Sequence, residues 1–189
     1  MKIVVMKFGG TSVESPAAIA RTAEIVEGRR ARGLTPVVVV SAMAKVTDQL
    51  LAAASAAERG DRAGALAISS RLRNRHLDAV SAMLTAASVA PTHCWMEEQF
   101  EALDDLLRGL AAVQELTPRT TDLVASFGER LSSRMVSELY GQSGLKGIHV
   151  DARTCIVTNA DHGKAMPLEE KIERQLRHRV LPLLEKGHI

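Results

Sequence analysis

The sequence predicts an α/β fold in which a mainly parallel sheet is sandwiched by helices. Two short runs rich in β-branched residues, Ile3 to Met6 and Val37 to Val40, have the length and composition of buried strands. Between them, Ser15-Pro16 predicts the start of a helix, because serine caps helices and proline favours the first helical position. A strand–helix–strand order with near-continuous valine is typical of a parallel sheet covered on both faces.

The composition fits this class. Hydrophobic residues make up 46% of the 189 residues, whereas aromatic residues make up only 3%. The core must therefore consist mostly of aliphatic side chains. The first helix is predicted to run from Pro16 to about Arg32 and to end at Gly33. Its buried face should include Ile19 and Val26, which share one side of a helix.

Beyond the second strand the sequence is strongly helical. Helices are expected at residues 48–59, 61–87, 95–113, 118–140 and 168–185. Pro182 should kink or loosen the last turn of the final helix. Short strands are expected at 147–150 and 154–157, and His188-Ile189 has the character of a further strand start.

Several classes of protein are disfavoured by charge and by residue pattern. A net charge of +2 with dispersed basic residues does not indicate a nucleic-acid-binding protein. Cys94 and Cys155 form no CxxC motif, so free thiols in the cytoplasm are expected. No apolar stretch is long enough to span a membrane. The six histidines, including His76, share no ligand spacing; they are interpreted as surface or loop residues, and no metal site is expected.

The first candidate site follows the first strand directly. It consists of Lys7, Phe8, Gly9, Gly10, Thr11 and Ser12. Two glycines allow close backbone approach to a ligand, and a lysine together with a nearby helix N-terminus favours a phosphate group. The segment is not a Walker P-loop. Considered alone, a glycine pair after a strand is more often a plain tight turn.

Two further candidate sites lie downstream. Ser41 and Thr47 flank the loop after the second strand, and ligands of open α/β sheets bind beyond the carboxyl ends of strands. The alternative is that these hydroxyls cap a helix. Gly128 precedes Glu129 within a predicted helix, where glycine costs about 1 kcal/mol relative to alanine. It would let another segment approach closely, and Glu129 would hold an ammonium group; the alternative is an exposed glutamate.

These segments, in this order, resemble aspartate kinases, which are members of the amino-acid kinase family. Residues 7–13, Lys-Phe-Gly-Gly-Thr-Ser-Val, closely resemble the N-terminal signature, from which other amino-acid kinases usually depart. Residues 41–47 resemble the family's second loop. Residues 127–133 resemble its His-Gly-Glu segment, with Phe127 where histidine is common. The stretches 151–153 and 158–160 also resemble the family sequence.

The resemblance implies an activity. Aspartate kinases transfer the γ-phosphoryl group of ATP to the side-chain carboxylate of L-aspartate, giving 4-phospho-L-aspartate for lysine, threonine and methionine biosynthesis. Lys7 is expected to stabilise the transferring phosphoryl group, and the backbone of Gly9 and Gly10 to bind phosphate oxygens. Mg²⁺ is expected to arrive with the nucleotide.

The resemblance also assigns the substrate contacts. Ser41 and Thr47 are expected to contact aspartate, and Glu129 to pair with its α-ammonium group. Residues 1–189 would be the N-terminal lobe of the kinase domain. The Gly-Phe-Ile-Gly-like segment, the Arg-Gly-Gly-Ser-Asp-like motif, the adenine-binding part and the regulatory domains that follow in the family are not in this sequence.

The chain is therefore expected to carry most of the aspartate pocket and the first phosphate loop, without the nucleotide half. It would then be an inactive part of the enzyme, and an open sheet edge would favour a homo-oligomer. Two alternatives stay open. One is a kinase for a related amino acid such as glutamate or acetylglutamate. The other is a non-catalytic fragment that binds aspartate or assembles with another subunit.

Overall fold

The computed structural model describes all residues from Met1 to Ile189. It contains two strands and seven α-helices, with short 3-10 turns at Gly10–Val13 and Ala152–Thr154. The elements follow in the order β1 (Lys2–Phe8), α1 (Pro16–Arg30), β2 (Leu34–Val40), α2 (Val46–Glu58), α3 (Arg62–Met83), α4 (Ala86–Val113), α5 (Pro118–Gln142), α6 (Glu169–Arg179) and α7 (Leu181–Glu185).

The two strands form a parallel pair. Lys2 lies opposite Leu34 and Phe8 opposite Val40, so both strands end at the same edge of the sheet. The crossover helix α1 begins as predicted, because the Ser15 hydroxyl accepts a hydrogen bond from the Ala18 N–H at 3.2 Å. The predicted α/β class with a parallel sheet is confirmed.

Helices cover one face of this sheet. Helices α1 and α5 pack on β2, and the Tyr140 hydroxyl of α5 donates to Thr22 Oγ1 of α1 at 2.9 Å. On the other face Ile3 is 48%, Val5 67% and Val39 47% exposed. The alternation along each strand thus separates a packed face from an open apolar one, whereas the sequence predicted cover on both.

The helices α2 to α5 pack against one another and extend the core away from the sheet. Helices α3 and α4 run antiparallel, with Ser69 Oγ donating to Asp104 Oδ1 at 2.5 Å and Arg73 Nη2 to Asp104 Oδ2 at 2.8 Å. Helix α4 begins at Ala86, nine residues before the predicted start at Trp95, and includes Pro91. Packing of the fully buried Thr92 and Met96 outweighs the helix-breaking tendency of that proline.

The interpretation of His76 as a surface or loop residue is wrong. It is fully buried in α3, where its Nδ1 lies 2.7 Å from the Leu72 carbonyl oxygen and its ring 5.7 Å from that of Phe100. Burial lowers the pKa of His76 from 6.5 to about 4. A neutral imidazole packs here as an aromatic side chain of the core.

The strands predicted at 147–150 and 154–157 do not form. The Ile148 N–H donates to the Ile189 carbonyl at 2.9 Å and the Ile189 N–H to the Lys146 carbonyl at 3.3 Å, the bond pattern of a parallel pair limited to one position. A strand requires a partner along its length, and β-branched residues alone do not supply one. The last predicted helix is divided at Val180, two residues before Pro182.

Candidate active site

The two predicted loops lie side by side at the carboxyl edge of the sheet. The Ser41 N–H donates to the Phe8 carbonyl at 3.0 Å, which continues the strand pairing by one residue. The Ala44 N–H then donates to the Gly10 carbonyl at 3.2 Å. The parallel register therefore joins the loop after β1, residues 9–14, to the loop after β2, residues 41–47. We name them the first loop and the second loop.

In the first loop each glycine has a different role. A Cβ added to Gly10 would lie 3.0 Å from the Ala42 carbonyl oxygen, so Gly10 provides the space for the second loop. At Gly9 nothing lies within 4 Å of that position, which leaves its backbone open to an incoming group. The hydroxyls of Thr11 and Ser12 have no hydrogen-bond partner in the chain. The Gly10–Val13 turn has no side-chain cap, so its first N–H groups are available.

Lys7 lies on the outer, open face of β1, opposite Val39. Its side chain is exposed, and its ammonium group forms no ion pair within the chain. An unpaired cation beside a glycine loop is suited to an anionic ligand, because no carboxylate competes for it. Phe8, the next residue, points the opposite way and is buried in the core.

The second loop turns into α2 through an unusual residue. Lys45 adopts φ 69° and ψ 0° and precedes the helix without a side-chain cap, a conformation that costs a non-glycine residue about 1–2 kcal/mol. The interpretation of Ser41 or Thr47 as helix caps is wrong, since neither occupies the capping position. Both hydroxyls are half-buried without a hydrogen-bond partner in the chain. They are available to a ligand.

Helix α5 reaches this loop through Gly128. A Cβ added there would lie 2.7 Å from Ala42 Cβ, so glycine is what allows the contact, as the sequence predicted. The contact places Glu129 Oε1 3.2 Å from the Ala42 N–H, which donates to it. Glu129 is half-buried rather than exposed, and the geometry contradicts the alternative of a freely solvated glutamate. A carboxylate, two free hydroxyls and a glycine loop thus lie around one sheet edge.

Sequence reasoning missed two residues that hold the second loop. Ser132 Oγ donates to the Ser41 carbonyl at 2.7 Å and is fully buried. Its spacing of three from Glu129 places both on one face of α5, a signal that the sequence contains. Arg75 of α3 donates from Nη1 to the Ala44 carbonyl at 2.8 Å. No local pattern marks Arg75.

An apolar cavity of about 510 Å³ opens beside this site, between the free edge of β2, α5 and the C-terminal segment. Its polar lining includes Glu129, Arg130 and Asp151. Arg153 forms a close ion pair with Asp151 at 2.6 Å, and its hydrogen bonds hold the pKa of that carboxyl below its usual range. Burial lowers the pKa of the Arg130 guanidinium, with the charge of Arg153 as a second cause. The stretch 151–153 thus forms part of the cavity lining.

No three His, Cys, Asp or Glu side chains come together in a way that could hold a metal ion. No helix combines the length and the apolar character needed to cross a membrane.

The comparisons with known proteins bear on this geometry. The profile of the amino acid kinase family matches residues 2–189. The chain belongs to that family. Among curated relatives, chloroplastic aspartokinase 1 of Arabidopsis thaliana is 35% identical over 150 residues, which cover 78% of this chain. Lysine-sensitive aspartokinase 3 of Escherichia coli is 31% identical over 188 residues, or 98% of this chain.

A solved member of the amino acid kinase family shares the fold. The crystal structure of Escherichia coli aspartokinase III in complex with aspartate and ADP superposes with a TM-score of 0.84 and 28% identity over the whole of this chain. The same enzyme with lysine and aspartate gives a TM-score of 0.83 at 27% identity. This chain spans 39% of the length of that structure and 25% of the Arabidopsis relative.

Proposed function

We propose that residues 1–189 are the substrate-side, N-terminal lobe of an aspartate kinase, which transfers the γ-phosphoryl group of ATP to the side-chain carboxylate of L-aspartate. The product is 4-phospho-L-aspartate, used for lysine, threonine and methionine biosynthesis. The observation that carries the proposal is the placement of Glu129 against the second loop, next to the glycines of the first. Aspartokinases as relatives, one of them solved with aspartate and ADP, support it.

Each residue at the sheet edge has a role that its position supports. Glu129 pairs with the α-ammonium group of aspartate. This ion pair either replaces the hydrogen bond that the Ala42 N–H donates to Glu129 or forms beside it. Ser41 and Thr47 contact the substrate with their free hydroxyls. These three groups hold the amino acid so that its side-chain carboxylate points toward the first loop. Orientation of this kind supplies much of the rate in phosphoryl transfer, since the reaction requires little covalent chemistry from the protein.

The first loop handles the phosphate. Lys7 balances the charge that spreads over the equatorial oxygens in the transition state, and the backbone of Gly9 and Gly10 approaches the phosphate oxygens. Phe8, Thr11 and Ser12 complete this nucleotide-side set, with Phe8 anchoring the loop in the core. The nucleotide brings Mg²⁺, whose charge adds to that of Lys7. Bringing two anions together requires such cations, because carboxylate and triphosphate repel each other.

Two further properties belong to the proposal. The open apolar face of β1 and β2 favours a homo-oligomer, because exposed apolar patches mark interaction surfaces. Cys94 and Cys155 are unpaired, as expected in a reducing compartment such as the cytoplasm.

An isolated 189-residue chain spans 39% of the solved relative, and this coverage favours a second candidate for the isolated polypeptide: it binds aspartate without turnover. Aspartate-dependent ADP release distinguishes the two when it is measured beside Lys7→Ala. Turnover lost in the variant supports complete kinase chemistry in this chain. Binding without turnover assigns this chain the aspartate site alone.

The test of the site itself is calorimetric titration with L-aspartate. A hydrogen bond to a charged group contributes about 1.5–3 kcal/mol, so Glu129→Gln should weaken aspartate binding by about 10- to 100-fold. Glu101→Gln, an exposed position on α4, is the matched control and should bind as the parent does. Equal binding by Glu129→Gln and the parent would refute the assignment of Glu129. Tighter binding of glutamate than of aspartate would indicate the related amino-acid kinase.

A further inference from the structure

Arg75 is the one side chain that forms hydrogen bonds to the backbone of both loops. It projects from α3, and its Nη1 donates to the Ala44 carbonyl of the second loop at 2.8 Å. Its Nη2 donates to the Glu14 carbonyl, at the end of the first loop, at 3.5 Å. One planar guanidinium thus joins Glu14 and Ala44, which belong to two segments far apart in sequence.

The contact falls where the second loop is most constrained. The Ala44 peptide N–H is bound by the Gly10 carbonyl at 3.2 Å, so Ala44 is held on one side by the first loop and on the other by Arg75. The next residue, Lys45, has φ 69°. Such a conformation persists in a non-glycine residue when its surroundings fix it. Arg75 supplies part of that constraint.

The charge of Arg75 is not used in an ion pair. No carboxylate lies within 4.0 Å of its guanidinium, whereas Arg73, two residues earlier, binds Asp104 at 2.8 Å and Glu97 at 3.3 Å. Arg73 therefore joins α3 to α4, as a structural residue would. Arg75 instead directs all its observed hydrogen bonds to loop carbonyls, for which the fixed fork of arginine is suited.

We propose that Arg75 is a positioning residue of the site: it fixes the spacing between the first and the second loop, so that ligand binding at one loop is transmitted to the other. The inference rests on the proposed function, because the spacing it sets is that between the phosphate and the aspartate. In this role Arg75 acts on the ligands indirectly. Its contribution is through Ala44 and Glu14.

The experiment is hydrogen exchange of the 189-residue chain, followed by mass spectrometry. In Arg75→Met, which keeps the stem and removes the donors, exchange should accelerate at least tenfold in residues 9–14 and 41–47 together, with α3 unchanged. Arg75→Lys keeps the charge but places its donors on one nitrogen, which does not reproduce the two-armed fork, so it should recover protection of one loop and not of both. Arg71→Met, an exposed position on the same helix, is the matched control and should exchange like the parent.

Acceleration confined to one loop, or spread along α3, would overturn the proposal, since the first means no coupling and the second means a damaged helix. A second arm adds L-aspartate. In the parent, aspartate should slow exchange in residues 9–14 as well as 41–47, whereas in Arg75→Met it should slow only the latter. The proposal would also be overturned if aspartate still slowed exchange in residues 9–14 of Arg75→Met. If the parent does not bind aspartate, the proposed function fails, and the ligand-free exchange still decides the role of Arg75.

Discussion

Replacing Gly128 by alanine tests whether close approach of α5 to the second loop builds the site. The added Cβ would lie 2.7 Å from Ala42 Cβ and 3.4 Å from both Leu50 Cδ1 and Val46 Cγ1. Real Cβ atoms do not approach another carbon to 2.7 Å, so either α5 or the loop has to move. Ala42 cannot yield alone, because its N–H is bound to Glu129 and its neighbour Ser41 to Ser132.

The magnitude follows from two opposing effects. Overpacking a well-packed core costs about 1–3 kcal/mol. Alanine in place of glycine within a helix returns about 1 kcal/mol. Since the clash involves a Cβ fixed to backbone rather than the end of a flexible side chain, its cost falls in the upper half of the range. We expect Gly128→Ala to lower the free energy of unfolding by about 1–2 kcal/mol.

Chemical denaturation measures this directly, and Gly109→Ala is its control. Gly109 lies inside α4, where nothing is within 4 Å of an added Cβ. That variant has only the helical gain and should be about 1 kcal/mol more stable than the parent. Aspartate affinity should fall in Gly128→Ala and stay constant in Gly109→Ala. If the two variants are equally stabilised, the steric argument is refuted, because α5 would then accommodate a Cβ at position 128 without strain.

Two further predictions concern the core and the open face of the sheet. Burial lowers the pKa of His76 from 6.5 to about 4. Between these two pH values the unfolded chain binds a proton at His76 and the folded chain does not. The free energy of unfolding therefore falls as the pH drops from 6.5 toward 4. Between pH 7 and 5 the parent should lose about 2 kcal/mol more than His76→Leu, measured by denaturant titration at both pH values; equal losses would contradict this. Val5→Lys should shift the chain toward monomer in sedimentation velocity, because it places a charge on the open apolar face, whereas Ile25→Lys on α1 should not. Unchanged self-association in Val5→Lys would exclude that face as the contact.

Local chemistry accounts for what the sequence predicted well. Helix α1 could be placed because Ser15 caps it and Pro16 follows, and both act within one turn. The two strands were recognisable because valine and isoleucine at these positions fit a buried pleated surface. Gly128 inside a helix also predicts correctly that another segment approaches α5 closely there.

The errors came from contacts that no local pattern reports. The absence of ligand spacing among the histidines argues against a metal site but says nothing about burial, and His76 is buried because α4 places Phe100 against it. Arg75 reaches Ala44 across 31 residues. Ser132 shares a helix face with Glu129, which the spacing indicates, but its bond to Ser41 crosses 91 residues, and no spacing reveals that partner. Such pairs depend on how α3 and α5 pack, so a reading by periodicity cannot identify them.

The open face of the sheet shows a different limit of sequence reasoning. Ile3, Val5 and Val39 read as buried positions, yet this chain covers only the face behind them. A strand pattern records the environment in which the strand is stable, and it does not say which segment or subunit provides the cover. The relatives are more than twice as long as this chain, which spans 39% of the solved one. An exposed apolar face of this kind marks an interaction surface, and Lys7 lies on the same face, opposite Val39. The proposed phosphate side of the site and the uncovered side of the sheet are therefore the same side.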